Sequence, residues 1–418
     1  MATTCEGEEY PVVNSQAFPG RDSLRAEINS ADAHPKGMHK VRVLHLYSGN
    51  LQGGAEKALV ALAAQRELCP DMECEFALCF EGWLSEQLRK AGAVVHILGK
   101  VRLRYPWTVW RARSRLRLIL STSPRIDVVV THSTWLHVVF GPAVQRAGVR
   151  LCFWARDAFL QPNFIDRLAS RTRPDQVVAN STFTLGTVDR LFPEVPAQVV
   201  YNPLLLPAKM NRCTVRRQIR DEIGCPPQQT VILIDARFEK WKGHALLIAA
   251  VARLKSTDWQ LWIAGKAQRS CEERHLKHLK ALVRQHGLDA RIRWLEHRDD
   301  IPSLLVAADI HCQPNTAPEP FGNVFIEAFQ AGVPTVTTRL GAAPEIIDPS
   351  CGVLVPPDDT QALAEALDRL MAADIRAGFT GGPARAKALC EPTQQMKRIA
   401  RALVQHKVVN SPRELSFA

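Results

Sequence analysis

Glu319 and Glu327 stand with seven residues between them in Pro318-Glu319-Pro320-Phe321-Gly322-Asn323-Val324-Phe325-Ile326-Glu327, a string that runs on to Gly332-Val333-Pro334. Asp309–Cys312 just ahead reads as a short buried strand. Pro320 suits the first turn of a helix, where its missing N–H costs nothing. Gly322 removes side-chain bulk where a ligand would approach the backbone. The helix is predicted over Phe321–Ala331, ending at Gly332 and Pro334. Glu319 then lies in the loop and Glu327 about one and a half turns into the helix. Free helix amides lie between them and form a ready anion site. A loop carboxylate for a sugar, amides for phosphate and a helix carboxylate for a ribose make a nucleotide-sugar site.

A second group follows the buried run Thr230–Asp235, in Ala236-Arg237-Phe238-Glu239-Lys240-Trp241-Lys242-Gly243. A guanidinium and an ammonium at the carboxyl end of a strand suit a diphosphate. They would stabilise charge growing on a departing nucleoside diphosphate. The chain has no Asp-x-Asp that would hold a divalent ion, so no metal is expected. Arg237, Lys242 and the helix N-terminus at Gly322 would take its place. Near the start, Gly53-Gly54-Ala55-Glu56 separates a buried strand from a helix. Glycine there lets backbone come close to a phosphate or acceptor. Glu56 reads more readily as a helix-dipole partner.

The Glu-x7-Glu string resembles the signature of retaining GT-B glycosyltransferases, family 4 in particular. Pro334–Thr338 and Cys351–Pro357 also look like that family. The resemblance covers roughly residues 41–405 and is looser in the first half. It implies two Rossmann-like domains facing a cleft, and transfer from a nucleoside diphosphate sugar with retention. Arg237 and Lys242 match the family's diphosphate clamp, and Gly53-Gly54 its glycine loop. Gly265 lies by the nucleotide, although Gly265-Lys266-Ala267 departs from the usual Gly-x-Gly. Phe321, Gly322, Asn323 and Glu327 complete the donor contacts, with Glu319 orienting the sugar. His132 matches a cleft-facing histidine that contacts the donor sugar. Arg156-Asp157 stands where many members carry His-Asp; the departure puts a base at that spot in doubt, and Arg156 with Asp157 would contact the acceptor, Arg156 suiting an anionic one. Asn180-Ser181 and Asn202 read as caps and turns closing the cleft.

These residues need a frame. Strands are predicted at Val41–Tyr47, Glu75–Cys79, Val94–Leu98, Asp127–Thr131, Arg150–Trp154, Gln176–Ala179 and Gln198–Tyr201. The pattern restarts at Thr230–Asp235, Gln260–Ala264, Ile292–Leu295, Asp309–Cys312 and Thr335–Thr337, with helices between most strands. Such alternation gives doubly wound parallel sheets that bind ligands at their carboxyl ends. At 418 residues the chain is long enough for two such α/β domains. The expected division is a mobile polar tail at 1–40, an acceptor domain at 41–205 and a donor domain at 206–390. A terminal segment at 391–418 would pack a helix at the domain junction. A linker is expected from Asn202-Pro203 to Pro226-Pro227.

Residues 1–40 lack a secretory apolar core, and no run reaches the length of a membrane span. The eleven cysteines include no Cys-x-x-Cys, which fits reduced thiols in a cytoplasmic protein. The net charge is +11. Lys100–Arg125 holds eight Lys/Arg and no acid. On a helical wheel Trp107, Trp110 and Leu118 face away from the core, among Arg111, Arg113, Arg115 and Arg117. That pattern reads either as a peripheral contact with an anionic membrane at its inner face or as a solvated helix. No nucleic-acid reader motif appears, so nucleic acid is not expected as a partner. The expected partners are a nucleotide-sugar donor and a glycan or lipid-linked acceptor. Rival readings are an epimerase or phosphorylase of the same fold, and a non-catalytic basic binding protein.

Overall fold

The structure, a computed structural model, describes residues 40–49, 52–122, 124–204 and 210–404. The predicted tail therefore falls outside the described residues, apart from Lys40. The first sheet is built from β1 (Val41–Tyr47), β2 (Met72–Leu78), β3 (Val94–Ile97), β4 (Val128–Thr131), β5 (Arg150–Ala155), β6 (Gln176–Ala179) and β7 (Ala197–Val199). Its order is β3-β2-β1-β4-β5-β6-β7, with every pairing parallel. The second contains β8 (Thr230–Asp235), β9 (Trp259–Ala264), β10 (Ile292–Glu296), β11 (Ile310–Cys312), β12 (Thr335–Thr338) and β13 (Gly352–Val355). Its order, β10-β9-β8-β11-β12-β13, repeats the first, again all parallel. In each sheet the order reverses beside the first strand, which opens a crevice at the carboxyl ends of β1/β4 and β8/β11.

The central strands β4, β6, β8 and β9 are buried along their whole length. They read as continuous apolar runs because helices cover both faces of a parallel sheet. Apolar clusters lie on the two faces of the first sheet, around Phe76 and Trp154 on one and Leu44 and Phe140 on the other. The faces of the second are filled around Ile232 and Ile263 and around Leu233 and Trp262.

Two expectations need correction. The helix after Glu319 is Asn323–Gln330, not Phe321–Ala331. Gly322 has φ +89°, and a Cβ there would meet the Phe325 ring at 2.4 Å, so Pro320 precedes the helix and Gly322 turns the chain into it. The predicted linker contains the helix Arg212–Ile223. Its Arg216 and Arg220 grip Asp309 at 2.7 and 2.6 Å, fastening it beneath the second sheet. The last helix, Pro392–Val404, buries Met396, Ile399, Ala402 and Leu403 in the core of the first sheet. It thus crosses back from the second half of the chain. No described helix is long and apolar enough to cross a membrane, and the described cysteines are all free.

Candidate active site

The cleft between the two sheets holds a cavity of about 910 Å³ lined by residues of both halves. On the second half's wall, β8 ends at Asp235. The chain then passes through Arg237 and a short turn of 3-10 helix at Lys240–Lys242. Gly243 follows with φ +80°, and a Cβ there would lie 1.8 Å from the Pro314 carbonyl oxygen. Only glycine lets these two loops come so close. The Thr316 N–H donates to the Trp241 carbonyl at 2.8 Å. This contact brings Lys242 to Glu319: Nζ donates to Oε2 at 2.7 Å. The same oxygen accepts from Gln313 Nε2 at 3.3 Å and Asn315 Nδ2 at 3.4 Å. Gly341 packs against the Glu319 backbone, where a Cβ would sit 2.4 Å from the Glu319 nitrogen. Glu319 is therefore fixed at both its main chain and its carboxylate.

Arg237 pairs with Glu239 and lies 3.9 Å from Glu272. Gly265 lines the cavity, but the Ala236 carbonyl oxygen fills the space beside it, 2.1 Å from where a Cβ would be. Phe321 is buried and stacks on Tyr201 with ring centroids 5.7 Å apart. The left-handed turn at Gly322 then presents the first turn of Asn323–Gln330 to the cavity.

Asn323 joins the two walls. Its side-chain carbonyl accepts from Asn202 Nδ2 at 2.9 Å, and its NH2 donates to the Gly54 carbonyl at 2.8 Å. Gln52 and Gln268 exchange two hydrogen bonds, at 3.0 and 2.8 Å. Ser181 Oγ donates to the Pro320 carbonyl at 2.6 Å. Lys57, one turn beyond Gly53, reaches Glu327 with Nζ 3.2 and 3.3 Å from the two carboxylate oxygens. Burial pushes the Glu327 carboxyl up; Lys57 opposes this and Asp235 adds to it. For Lys57, burial pulls the ammonium down, but Glu327 and then Asp235 outweigh it and the net shift is upward.

On the opposite wall, Arg156 and Asp157 follow β5 and both line the cavity. Asp157 opens onto the cleft, and the surrounding walls push its carboxyl up. Glu56 is buried, accepts from the Tyr47 hydroxyl at 3.1 Å, and is likewise pushed up by burial. It is thus a wall of the cavity and not a solvated first-turn glutamate.

His132 is the predicted residue that the structure moves away from the cleft. Its ring is buried between Arg156 and His45. Arg156 Nε donates to its Nδ1 at 3.0 Å, and its Nε2 lies 3.0 Å from His45 Nδ1. Of the two, Arg156 lines the cavity and His132 does not. His132 holds Arg156 in place.

Arg237, Lys242, Glu319, Phe321, Gly322, Asn323, Glu327, Gly265, Gly53, Gly54, Arg156 and Asp157 therefore share one cavity. Sequence reasoning missed Lys57, Gln313 and Asn315. The last two follow β11 at its carboxyl end, a position that alone would have flagged them. Lys57 gave no signal, because its partner is 270 residues away.

Residues 215–378 match the sequence signature of the family described as Glycosyl transferases group 1. The lipopolysaccharide core biosynthesis glycosyltransferase LpsE of Rhizobium meliloti (strain 1021) is 32% identical over 155 residues, which is 37% of this chain and 43% of that protein. A phosphatidyl-myo-inositol mannosyltransferase of Mycobacterium leprae (strain TN) is 34% identical over 152 residues, 35% of this chain and 38% of that one. The chain's matches thus span less than half of either relative. Similarity of structure extends further. Anabaena Alr3699/HepE, solved with UDP and glucose, superposes with a TM-score of 0.76 at 23% identity, over 86% of this chain and 98% of that one. WaaG, a glycosyltransferase involved in lipopolysaccharide biosynthesis, gives 0.65 at 17% identity over 87% and 100%. The fold is GT-B.

In this GT-B protein the family signature falls in the second sheet's half of the chain. The first half carries Arg156, and behind it two neutral histidines. Burial, then Arg156, pulls His45 down to about 3; burial, then Arg156 and His45, holds His132 well below its ordinary 6.5. Below pH 6.5 the unfolded chain takes up protons that these rings refuse, so their contribution to stability is complete above 6.5 and is lost as pH falls from 6.5 toward 3. Each ring should remove on the order of 1.4 kcal/mol per pH unit within that window. Melting curves from pH 7.5 to 5 should show the transition falling with acid, and His45→Asn should make that slope shallower by about one proton. A wild-type transition that does not move over this range would contradict the neutral pair.

Proposed function

We propose that the protein is a glycosyltransferase that moves a sugar from a nucleoside diphosphate sugar to a glycan or lipid-linked acceptor, with retention and without a metal ion. The observation that carries this reading is the Lys242–Glu319 pair at the carboxyl end of the second sheet. It stands beside the left-handed turn at Gly322 and the helix that holds Glu327. Glu327 would exchange Lys57 for the ribose hydroxyls. Arg237, Lys242 and the first amides of Asn323–Gln330 would bind the diphosphate. Glu319 would accept from hydroxyls of the sugar and set the anomeric carbon toward the opposite wall.

As the glycosidic bond breaks, negative charge grows on the β-phosphate. Lys242 and Arg237 would stabilise it more strongly than the ground state, which lowers the barrier. Retention follows the resemblance of the Glu-x7-Glu string. The carbon would receive the acceptor oxygen on the face the leaving group departs from, and Arg156 and Asp157 would border the acceptor. UDP-glucose is a reasonable first donor to try, because HepE, of the same fold, was solved with UDP and glucose. The names of LpsE and the mannosyltransferase favour an acceptor in glycolipid assembly.

Lys242→Ala should lower turnover by on the order of a hundredfold, far more than its loss of stability explains, and the mutant should still melt as a folded protein; wild-type transfer should survive EDTA. The check is steady-state transfer with a panel of nucleotide sugars beside melting curves. Near-normal turnover of Lys242→Ala would displace the clamp, and loss in EDTA restored by manganese would overturn the metal-free reading.

A second surface supports peripheral membrane contact. On the helix Pro106–Ser121, Trp107, Trp110 and Leu118 are 59%, 65% and 69% exposed. Two of the four arginines expected on that helix also reach back to main-chain carbonyls. Arg113 donates to the Val138 and Val139 carbonyls, and Arg115 to the Leu98 carbonyl. Arg111 and Arg117 are exposed on the same helix as the two indoles. About 1 kcal/mol per cation near an anionic surface, with two Trp inserted, gives reversible and salt-sensitive attachment. Wild type should co-sediment with phosphatidylserine vesicles at low salt, and Trp107→Ser/Trp110→Ser should not. Equal sedimentation of the two would leave a solvated helix.

A further inference from the structure

We propose that Arg156 recognises an anionic group, a phosphate or a carboxylate, carried by the acceptor, so that the acceptor is an anionic molecule. This rests on reading the cleft as a glycosyl-transfer site. The argument begins with how Arg156 is held. It is 8% exposed, its Nε donates to His132 Nδ1 and its Nη1 donates to Asn202 Oδ1, both at 3.0 Å. Its guanidinium carbon lies 4.8 Å over the Trp154 ring. All these partners are neutral. Among the described residues no carboxylate comes within ion-pairing distance of it, and its Nη2 makes no hydrogen bond.

Neutrality of the cradle is dictated by chemistry. A guanidinium only donates, so His132 Nδ1 must be the acceptor. The His132 proton then sits on Nε2 and points at His45 Nδ1, 3.0 Å away. His45 in turn carries its proton on Nε2, which is buried without a partner. Two imidazoles are thereby locked in one tautomer each and orient the arginine without cancelling its charge. Burial pulls Arg156 down to about 10, so it remains a cation at neutral pH.

A structural arginine at this depth would be expected to have a carboxylate, because an uncompensated buried charge is costly. Elsewhere in this chain Arg220 has one, in Asp309. Arg156 keeps its charge and one edge of its fork for the cavity it lines. The nearby acids do not fill the place: Glu56 is engaged by Tyr47, and neither it nor Asp157 lies within 4.0 Å of the guanidinium. The site stands on the first sheet's wall, across the cleft from Arg237 and Lys242. The anion it fits therefore comes with the acceptor and not with the donor.

The test titrates inorganic phosphate, and separately acetate, into the full-length protein with and without saturating UDP, reading thermal shift and calorimetry. The expected result is that at least one anion binds with UDP already bound. Arg156→Gln should weaken that anion by roughly tenfold or more, since a hydrogen bond to a charged group is worth about 1.5–3 kcal/mol, while UDP affinity changes little. Three results overturn the proposal: neither anion binds the UDP complex, UDP displaces the anion competitively, or Arg156→Gln binds it as wild type does. If Arg156→Gln fails to fold, the wild-type competition decides alone. Failure to bind any nucleoside diphosphate would instead overturn the glycosyl-transfer reading on which the proposal rests.

Discussion

Two parallel sheets become one site through the amide of Asn323. It is the first residue of its helix, held by the left-handed turn at Gly322, and its side chain bonds at once to Asn202 and to the Gly54 carbonyl. One end of the amide accepts and the other donates, so no isosteric carboxylate or aliphatic side chain could make both contacts. The bonds fix the helix N-terminus, and the amides it would offer to phosphate, against the glycine turn of the other half. Ser181 on Pro320 and the Gln52–Gln268 pair close the same seam. The final helix, packed into the core of the first sheet, returns the chain across the two halves. Breaking a buried pair here would strand a polar group and cost about 1–3 kcal/mol, which is why the geometry of the cleft is specific.

Charges along the cleft are arranged in substitutable pairs. Lys242 rests on Glu319, Lys57 on Glu327 and Arg237 on Glu239. Each pairing spares a partly desolvated group from standing alone. Each is also a bond that a diphosphate, a ribose diol or a sugar hydroxyl could take over with little net change in charge. Arg156 breaks this pattern. Its partners are neutral, and the histidines behind it are fixed as donors and acceptors by the guanidinium itself. The second sheet's wall is thus lined by paired charges, whereas the first sheet's wall holds one guanidinium whose partners are neutral.

Much of this could be read from the chain. Gln176–Ala179 and Thr230–Asp235 were legible to the residue, because continuous apolar runs bounded by turn residues have one reading in a doubly wound fold. The restart of the pattern gave the second sheet, and the Glu-x7-Glu string gave the turn and helix. The failures have local causes. Pro320 looked like a helix start because proline fits a first turn, but the Phe325 ring packed beneath Gly322 moves that start to Asn323. Arg212–Ile223 looked like linker because its inward face is partly arginine, made tolerable by Asp309 nearly ninety residues later. His132 was placed at the right strand end, but which way an imidazole points depends on the arginine that strand β5 delivers beside it. The Lys57–Glu327 pair, like Asn202–Asn323, is a fact of the assembled halves and leaves no local trace.

The central claim is that Glu327 and the adjoining helix N-terminus bind a nucleoside diphosphate. It is tested most directly by calorimetric titration of UDP, GDP, ADP and CDP into wild type and Glu327→Ala, with folding checked by melting. At least one nucleotide should bind wild type at a single saturable site. Glu327→Ala should weaken it by about tenfold to a hundredfold, as expected for losing charge-assisted ribose contacts of roughly 1.5–3 kcal/mol. A folded Glu327→Ala that binds the same nucleotide as tightly as wild type would contradict the account.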